Sequence, residues 1–337
     1  MESDATAQRG PQRAIPRGAL GAATAVLYVF LWATAFVPSR VLARGAPPLG
    51  ILAIRFLLAG GILLAIAAAL RLPIPRDGRT WLRLFVLGLG GNALYLGMTY
   101  VALRHLSAGM GSIIASTNPL ILALLAPSLL GEPLTRRKLI GLVLGFTGVV
   151  LAMHARAGSQ TARLQDVMLA LGGVLAFVFS NIAYKRMSER PHPLVLNGGQ
   201  LLCAGIVLIP AALALEGMPH VNWTGPLVWS LVYLVVVLSV GASMLWFWIL
   251  QHGEASRVSA YFFLTPAFGL LLAAILLNEQ LTPLDGASLA VIGTGLWLAA
   301  RTQVVSEARP TASCSQFSPR QVDPSPSRAA GTIRRIT

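Results

Sequence analysis

Two cysteines, five histidines and twelve acidic residues are all of these types that 337 positions hold. Cys203 lies in an apolar stretch and Cys314 in a polar tail. That excludes a disulfide framework and a cysteine-built metal centre. The few histidines and acids show no ligand spacing, so neither a metal nor a cofactor is expected. Charged residues make up 11% of the chain against 55% apolar ones, too few to coat a soluble protein of this length. No glycine-rich phosphate loop of the GxxxxGK type follows a strand, because the chain has no strand pattern. Histidine, aspartate and serine do not cluster at one depth, so an enzyme is not expected.

What the chain has instead is long apolar runs. A bilayer core takes about 20 mostly apolar residues per helix, and ten candidates appear in order. They are Leu20 to Pro38, Leu49 to Leu70, Trp81 to Leu103, Ala108 to Leu130, Leu139 to Met153, Val167 to Tyr184, Val195 to Leu215, Leu227 to Ile249, Val258 to Leu277 and Leu284 to Ala300. The first is too long for a cleavable signal peptide and leads straight into the next. The reading is an all-α polytopic membrane protein with ten transmembrane helices.

The ten fall into two copies of five. Asn118 to Val149 returns as Thr265 to Leu296 without a gap, and 12 of the 32 positions match. The matches include Pro119 with Pro266, Glu132 with Glu279, Thr135 with Thr282 and Gly148 with Gly295, each pair 147 positions apart. Two unrelated greasy helices would match leucine with leucine, not these four types in register, so the repeat organises the chain. The earlier halves align more weakly at an offset of 145, which pairs Pro48 with Pro193, Arg55 with Gln200 and Gly60 with Gly205. The divisions drawn are a disordered N-terminus at 1–18, a first repeat at 19–155, a second at 156–300 and a disordered basic tail at 301–337.

The formal net charge of +14 does not point to nucleic acid, because the basic residues alternate between loops. With both termini inside, 20 Lys and Arg fall on the cytoplasmic side and 5 outside, as the positive-inside rule requires. An odd number of spans per copy then turns the second copy over relative to the first. Inverted repeats are the build of many secondary transporters, with the solute site at the midplane. The expected orientation is N-in, C-in, and the expected location is the cytoplasmic membrane.

Polar groups inside spans are costly and are functional candidates by default. Arg55 is the clearest. Its side chain either snorkels to the interface, makes a structural hydrogen bond, or binds a carboxylate or phosphate through its fork. Gln200 holds the matching place in copy two. Asn92, Tyr95 and Tyr100 fall on the third span, and Asn181 and Tyr184 on the sixth. Asn118 precedes the kink at Pro119 and either caps freed backbone or touches solute. Trp32 and Trp246 either line a cavity or belong to interfacial belts. Glu132 and Glu279 sit where a span gives way to a loop, and fixing the turn is the favoured role. No acid lies deep in a span, so proton carriage by a buried carboxylate is unsupported. The glycines at 141, 145 and 148 read as sites of close helix approach.

These residues resemble the EamA branch of the drug/metabolite transporter superfamily, with two units. In the first unit the likeness is carried by Leu103 to Ser112, Pro119, the run Leu130-Gly131-Glu132-Pro133-Leu134-Thr135, and Gly148. In the second it is carried by Gly253 to Ser259, the TPAF from Thr265, the run Asn278-Glu279-Gln280-Leu281-Thr282, and Gly295. Arg55, in AIRFLLAG, matches an arginine common in the second helix of the unit. The resemblance spans about residues 20–300. It implies a ten-helix bundle enclosing a central cavity, with helices five and ten outside. It also implies export of amino acids, other metabolites or toxic amphiphiles by alternating access. The alternatives are an exchanger of phosphorylated or nucleotide-linked solutes and a non-transporting membrane sensor or scaffold. The partners implied are a small-molecule solute and the lipid bilayer; a homodimer is left open.

Overall fold

The computed structural model of the chain describes residues 19–130, 135–155, 163–187, 190–218, 220–251 and 264–307. Glu132 and the segment 252–263 lie outside these described residues. The first repeat holds α1 (Ala19–Thr34), α2 (Phe36–Gly45), α3 (Pro48–Ala69), α4 (Gly78–Gly88), α5 (Tyr95–Leu103), α6 (Ala108–Ala115), α7 (Asn118–Leu130) and α8 (Arg136–Ala155). The second holds α9 (Leu164–Lys185), α10 (Pro193–Glu216), α11 (Gly225–Tyr233), α12 (Ala242–Gln251), α13 (Thr265–Leu277) and α14 (Pro283–Glu307). A π-helical stretch, Leu89–Leu94, joins α4 to α5, and a second, Leu234–Gly241, joins α11 to α12. All these elements are helical, and no strand occurs among the described residues.

Among the described residues six stretches are long and apolar enough to cross a membrane: Ala23–Gly45, Pro48–Ala69, Gly78–Leu103, Leu164–Lys185, Pro193–Glu216 and Gly225–Trp246. They are the first three spans of each repeat. Shorter apolar helices cover Ala108–Leu122, Leu139–Ala152 and Thr265–Leu277. The chain is a multi-pass membrane protein.

Local chemistry sets the helix ends. Pro48 and Pro193 stand in the first turn of α3 and α10, where a missing N–H costs nothing. Ser107 caps α6 by accepting from the Met110 amide at 3.0 Å. Asp77 caps α4 by accepting from Thr80 N at 2.7 Å, and the Thr80 hydrogen bonds hold its carboxyl below the usual range. Asn278 ends α13 in the left-handed region at φ 51°. The span drawn as Ala108 to Leu130 breaks at Ser116–Thr117. Pro119 cannot donate to the Ala115 carbonyl, and the Ser116 and Thr117 hydroxyls bond back to the carbonyls of Ile113 and Ile114 at 2.6 and 2.7 Å. The first span likewise breaks at Ala35, between α1 and α2. At the far end, α14 runs on to Glu307, past the Ala300 drawn for the tenth span.

Three pairs of helices pack across the two repeats, and close approaches give their sense: α3 and α10 are counterparts, as are α8 and α14, while α6 and α13 come from the matching fourth and ninth spans. A Cβ on Gly60 of α3 would lie 2.7 Å from Leu202 N of α10, and one on Gly205 would lie 3.1 Å from Leu57 N. As residue numbers rise on one helix they fall on the other, so α3 and α10 run antiparallel. In α8 and α14, a Cβ on Gly148 would sit 3.0 Å from Ser288 O and one on Gly295 2.6 Å from Gly141 O, again antiparallel. In α6 and α13, Gly109 meets Leu270 and Glu279 while Gly269 meets Ser112, antiparallel once more. Bare backbone at these contacts lets the helices approach closely, which is how apolar helices gain packing energy inside lipid.

The two π-helical stretches extend the correspondence. Leu89 and Leu234, where they begin, are 145 positions apart, the offset found for the early halves of the repeat. The first is glycine-rich and the second, LVVVLSVG, is valine-rich. Placement in the fold, not local composition, selects the widened turn. Such turns often mark functional positions.

Candidate functional site

Arg55 sits two helical turns into α3, about 10 Å from its start at 1.5 Å per residue. It is only 6% exposed. Its Nη1 donates to the Tyr100 hydroxyl at 2.9 Å, and that hydroxyl donates to Ser39 Oγ at 3.1 Å. The relay joins α3, α5 and α2, and all three groups are buried. Arg55 Nε, also buried, has no partner. Of the roles open to Arg55, snorkelling is excluded by this burial.

The counterpart Gln200 is engaged differently. Its amide donates to Asn197 Oδ1 at 2.9 Å, Asn197 donates to Ser243 Oγ, and Ser243 closes the chain on the Ser239 carbonyl. That set is neutral and self-contained. Charge at this depth therefore stands on one side of the pseudo-symmetric pair only.

The remaining candidates are distributed over the bundle. Trp246 stacks on Tyr28 at 5.1 Å between ring centres, which ties α12 to α1. Close by in sequence, Thr34 and Tyr233 share a 2.6 Å hydrogen bond that also crosses between repeats. Trp32, in α1, is half-buried. Tyr95 stacks on Phe177 of α9 at 4.7 Å, so packing accounts for it. Tyr184 lies beneath the Arg190 guanidinium, 4.3 Å from the ring centre, far along α9 from its Asp166 end. Asn92 falls within the first π-helical stretch and Asn181 within α9, both half-buried. Asn118 Oδ1 is buried without a partner, and so is Thr265 Oγ1, which occupies the matching position of the second repeat. The repeat thus places an unsatisfied polar group before Pro119 and another before Pro266.

Glu279 does more than fix its own turn. Its Oε1 takes the Arg40 guanidinium as an ion pair and the Ala108 amide at 2.8 Å, while Oε2 accepts from Gly109 N at 3.3 Å. A carboxylate on the first amides of α6 meets the positive end of the helix dipole. Glu216, at the end of α10, does the same for α3, accepting from Leu49 N and Gly50 N at 2.8 and 3.0 Å. Asp166 meets His105 at 3.1 Å. Three acids of the second repeat therefore hold one end of the first. A polar depression of about 430 Å³ opens beside Arg44, Arg104, Glu216 and His220 at that end. The sequence does not single out Ser39, Arg40 or Glu216, because a polar residue at or near a helix end carries no mark of what it reaches across the bundle. Of the residues the repeat keeps in register, Gly148 and Gly295 stand at close helix approaches, Pro119 and Pro266 in the first turns of α7 and α13, and Thr135 and Thr282 just before α8 and α14. Thr282 takes a 2.9 Å bond from its hydroxyl to Asp285 Oδ2. Among the described residues no cluster of three metal-ligating side chains occurs.

Comparison with known proteins decides the family. The model of the EamA-like transporter family matches residues 19–153 and again 165–301. The chain belongs to the EamA-like transporter family. The family model thus matches two units, one holding Pro119 and the other Pro266. Among EamA relatives, a Bacillus subtilis protein named "Uncharacterized transporter YvbV" is 31% identical over 278 residues, covering 82% of this chain and 90% of that one. A Salmonella typhimurium protein named "Probable amino-acid metabolite efflux pump" is 27% identical over 289 residues, covering 81% and 92%. Protein PecM of Dickeya dadantii is 31% identical over 259 residues, covering 75% and 82%. One solved crystal structure aligns with a TM-score of 0.60 over 86% of this chain and 98% of its own, at 21% identity. At that identity the likeness speaks for the fold.

Proposed function

We propose that this EamA chain is a secondary transporter exporting a small metabolite, amino-acid-like or amphiphilic, across the cytoplasmic membrane. It works by alternating access between two inverted five-helix repeats. The observation that carries the reading is the antiparallel pairing of matching spans: α3 with its counterpart α10, α8 with its counterpart α14, and α6 of the fourth span with α13 of the ninth. A twofold axis in the membrane plane produces such self-pairing, and it gives the two halves two arrangements of similar energy. On the charge bias of the loops, both termini lie inside and the end held by Glu279, Glu216 and Asp166 faces outward. The structure is then an outward-closed state whose clasps all join one repeat to the other. The efflux-pump name of the Salmonella relative supports the direction.

The test is flux. Proteoliposomes holding the purified chain are loaded with a pool of radiolabelled amino acids and organic acids, and loss of label is followed against protein-free liposomes. Release above the control for at least one solute is expected. No release for any solute, from protein shown to be inserted and folded, would count against transport.

A further inference from the structure

We infer that Arg55 is the anion-binding residue of the solute site and that the exported solute carries a carboxylate with net negative charge. The inference rests on the transport reading above for where the solute passes; the binding it predicts needs no flux.

A guanidinium carries a fixed positive charge, and here it is 6% exposed among α2, α3 and α5. A buried charge calls for a partner of opposite sign. Among the described residues none is in reach. Asp77 caps its own helix, Asp166 meets His105, Glu216 caps α3, Glu279 holds Arg40, and Asp285 turns back on Thr282. Every one of these acids has its own contact, and none forms an ion pair with Arg55.

The hydrogen bonds leave a particular edge vacant. Nη1 is turned to Tyr100, a neutral acceptor. Nε is buried and unpartnered, and it shares an edge with Nη2. That edge delivers two parallel N–H bonds, the geometry a carboxylate accepts. Tyr100 and Ser39 fix the other side, so the fork is held before the ligand arrives.

The solute's charge follows from the surroundings. Gln200, the counterpart of Arg55, is neutral and closed on Asn197, so the pair offers one positive charge. The neighbouring cation Arg40 is already matched by Glu279. One unmatched charge suits a monoanion and undercharges a phosphate. No carboxylate pairs with Arg55 to receive an ammonium there, and Asp166, whose Oδ2 has no partner, is turned to His105 instead, so the acid group of the solute is read and an amine is not required.

The experiment is thermal unfolding of full-length protein in detergent, in low-chloride buffer. The ligands are acetate, benzoate, phenylacetate and indole-3-acetate, each set against its amide; phenethylammonium, phenylalanine and sodium chloride complete the series. At least one carboxylate should raise Tm by roughly 2 °C or more, as expected for a ligand well above its Kd, while its amide and the ammonium do not. Arg55→Met, which keeps volume and removes the charge, should lose that response and melt no lower than wild type without ligand. Arg55→Lys keeps the charge without the fork, and should need about tenfold more ligand. The inference is overturned if Arg55→Met lowers the ligand-free Tm and still responds, which would make the arginine structural. It is also overturned if chloride matches the carboxylates, or if no carboxylate acts. Flux without carboxylate binding would sink this inference and leave the transport reading intact; binding without flux would do the reverse.

Discussion

Glu279 and Arg40, 239 positions apart, form an ion pair between the two repeats, and the same carboxylate covers the first two amides of α6. Arg40 is held by little else: its Nε is buried and has no partner. The contact therefore depends on the charge of one acid. If this end opens in the transport cycle proposed above, the clasp has to part. Its strength then enters the equilibrium between closed and open forms.

Glu279→Gln keeps the shape and removes the charge. A hydrogen bond to a charged group contributes about 1.5–3 kcal/mol, and about 1.4 kcal/mol is a tenfold change in an equilibrium. Ser112 is fully buried one turn below the clasp, against Gly269. In a Cys203→Ser, Cys314→Ser background, Ser112→Cys should react with a membrane-impermeant maleimide roughly tenfold faster when Glu279→Gln is added. An unchanged rate would show that the clasp does not hold the end closed.

Glu216→Gln addresses the neighbouring helix. It leaves the Leu49 and Gly50 amides with a weaker acceptor, and the loss of a charged cap costs roughly 0.5–2 kcal/mol. A lower melting temperature is expected. Because Glu216 serves α3 and Glu279 serves α6, the two losses should add within about 0.5 kcal/mol in the double variant. A strongly non-additive double variant would mean that the two acids act as one unit.

Gly295→Ala tests helix packing. The added methyl would stand 2.6 Å from the Gly141 carbonyl oxygen and 2.9 Å from Gly145 N, both backbone atoms that cannot rotate away. The α8–α14 pair has to separate, at a cost of about 1–3 kcal/mol. Gly293→Ala, two positions away with nothing within 4 Å, is the control and should melt like the wild type. Equal melting of the two variants would remove the close approach as a source of stability.

Much of this architecture is legible in the sequence because lipid simplifies the problem. Apolar length marks the spans, and Pro119, Thr135 and Gly148 recur with their counterparts because both copies solve the same packing problem. Arg55 stands out because a charge in a span needs a reason. The breaks at Ala35 and Ser116 are harder to read, since helix and broken helix share one hydropathy pattern. The π-helical stretch at Leu234 has no local signature at all; only its match to Leu89 gives it meaning. Contacts such as Glu279 with Arg40, or Tyr100 with Ser39, join positions with no shared periodicity. Sequence spacing within one helix says nothing about which neighbour a side chain will meet across the bundle. Tyr184 illustrates the converse: three residues from Asn181, it is drawn instead to Arg190.

Tyr100→Phe isolates the relay beneath Arg55. The ring is fully buried, so the change deletes one oxygen and moves little else. It strands Arg55 Nη1 and Ser39 Oγ, and an unsatisfied buried polar group costs about 1–3 kcal/mol. Ser39→Ala should cost less, because Tyr100 continues to accept from Arg55 and loses only its own acceptor. Combining Tyr100→Phe with Arg55→Met separates the terms. With the guanidinium gone, the phenol has one partner instead of two, and removing it should cost less than in wild type. A coupling of about 0.5–3 kcal/mol from the four melting curves is expected. A coupling of zero would mean that the 2.9 Å contact holds nothing in place, and Arg55 would then owe its orientation to packing by α3 alone.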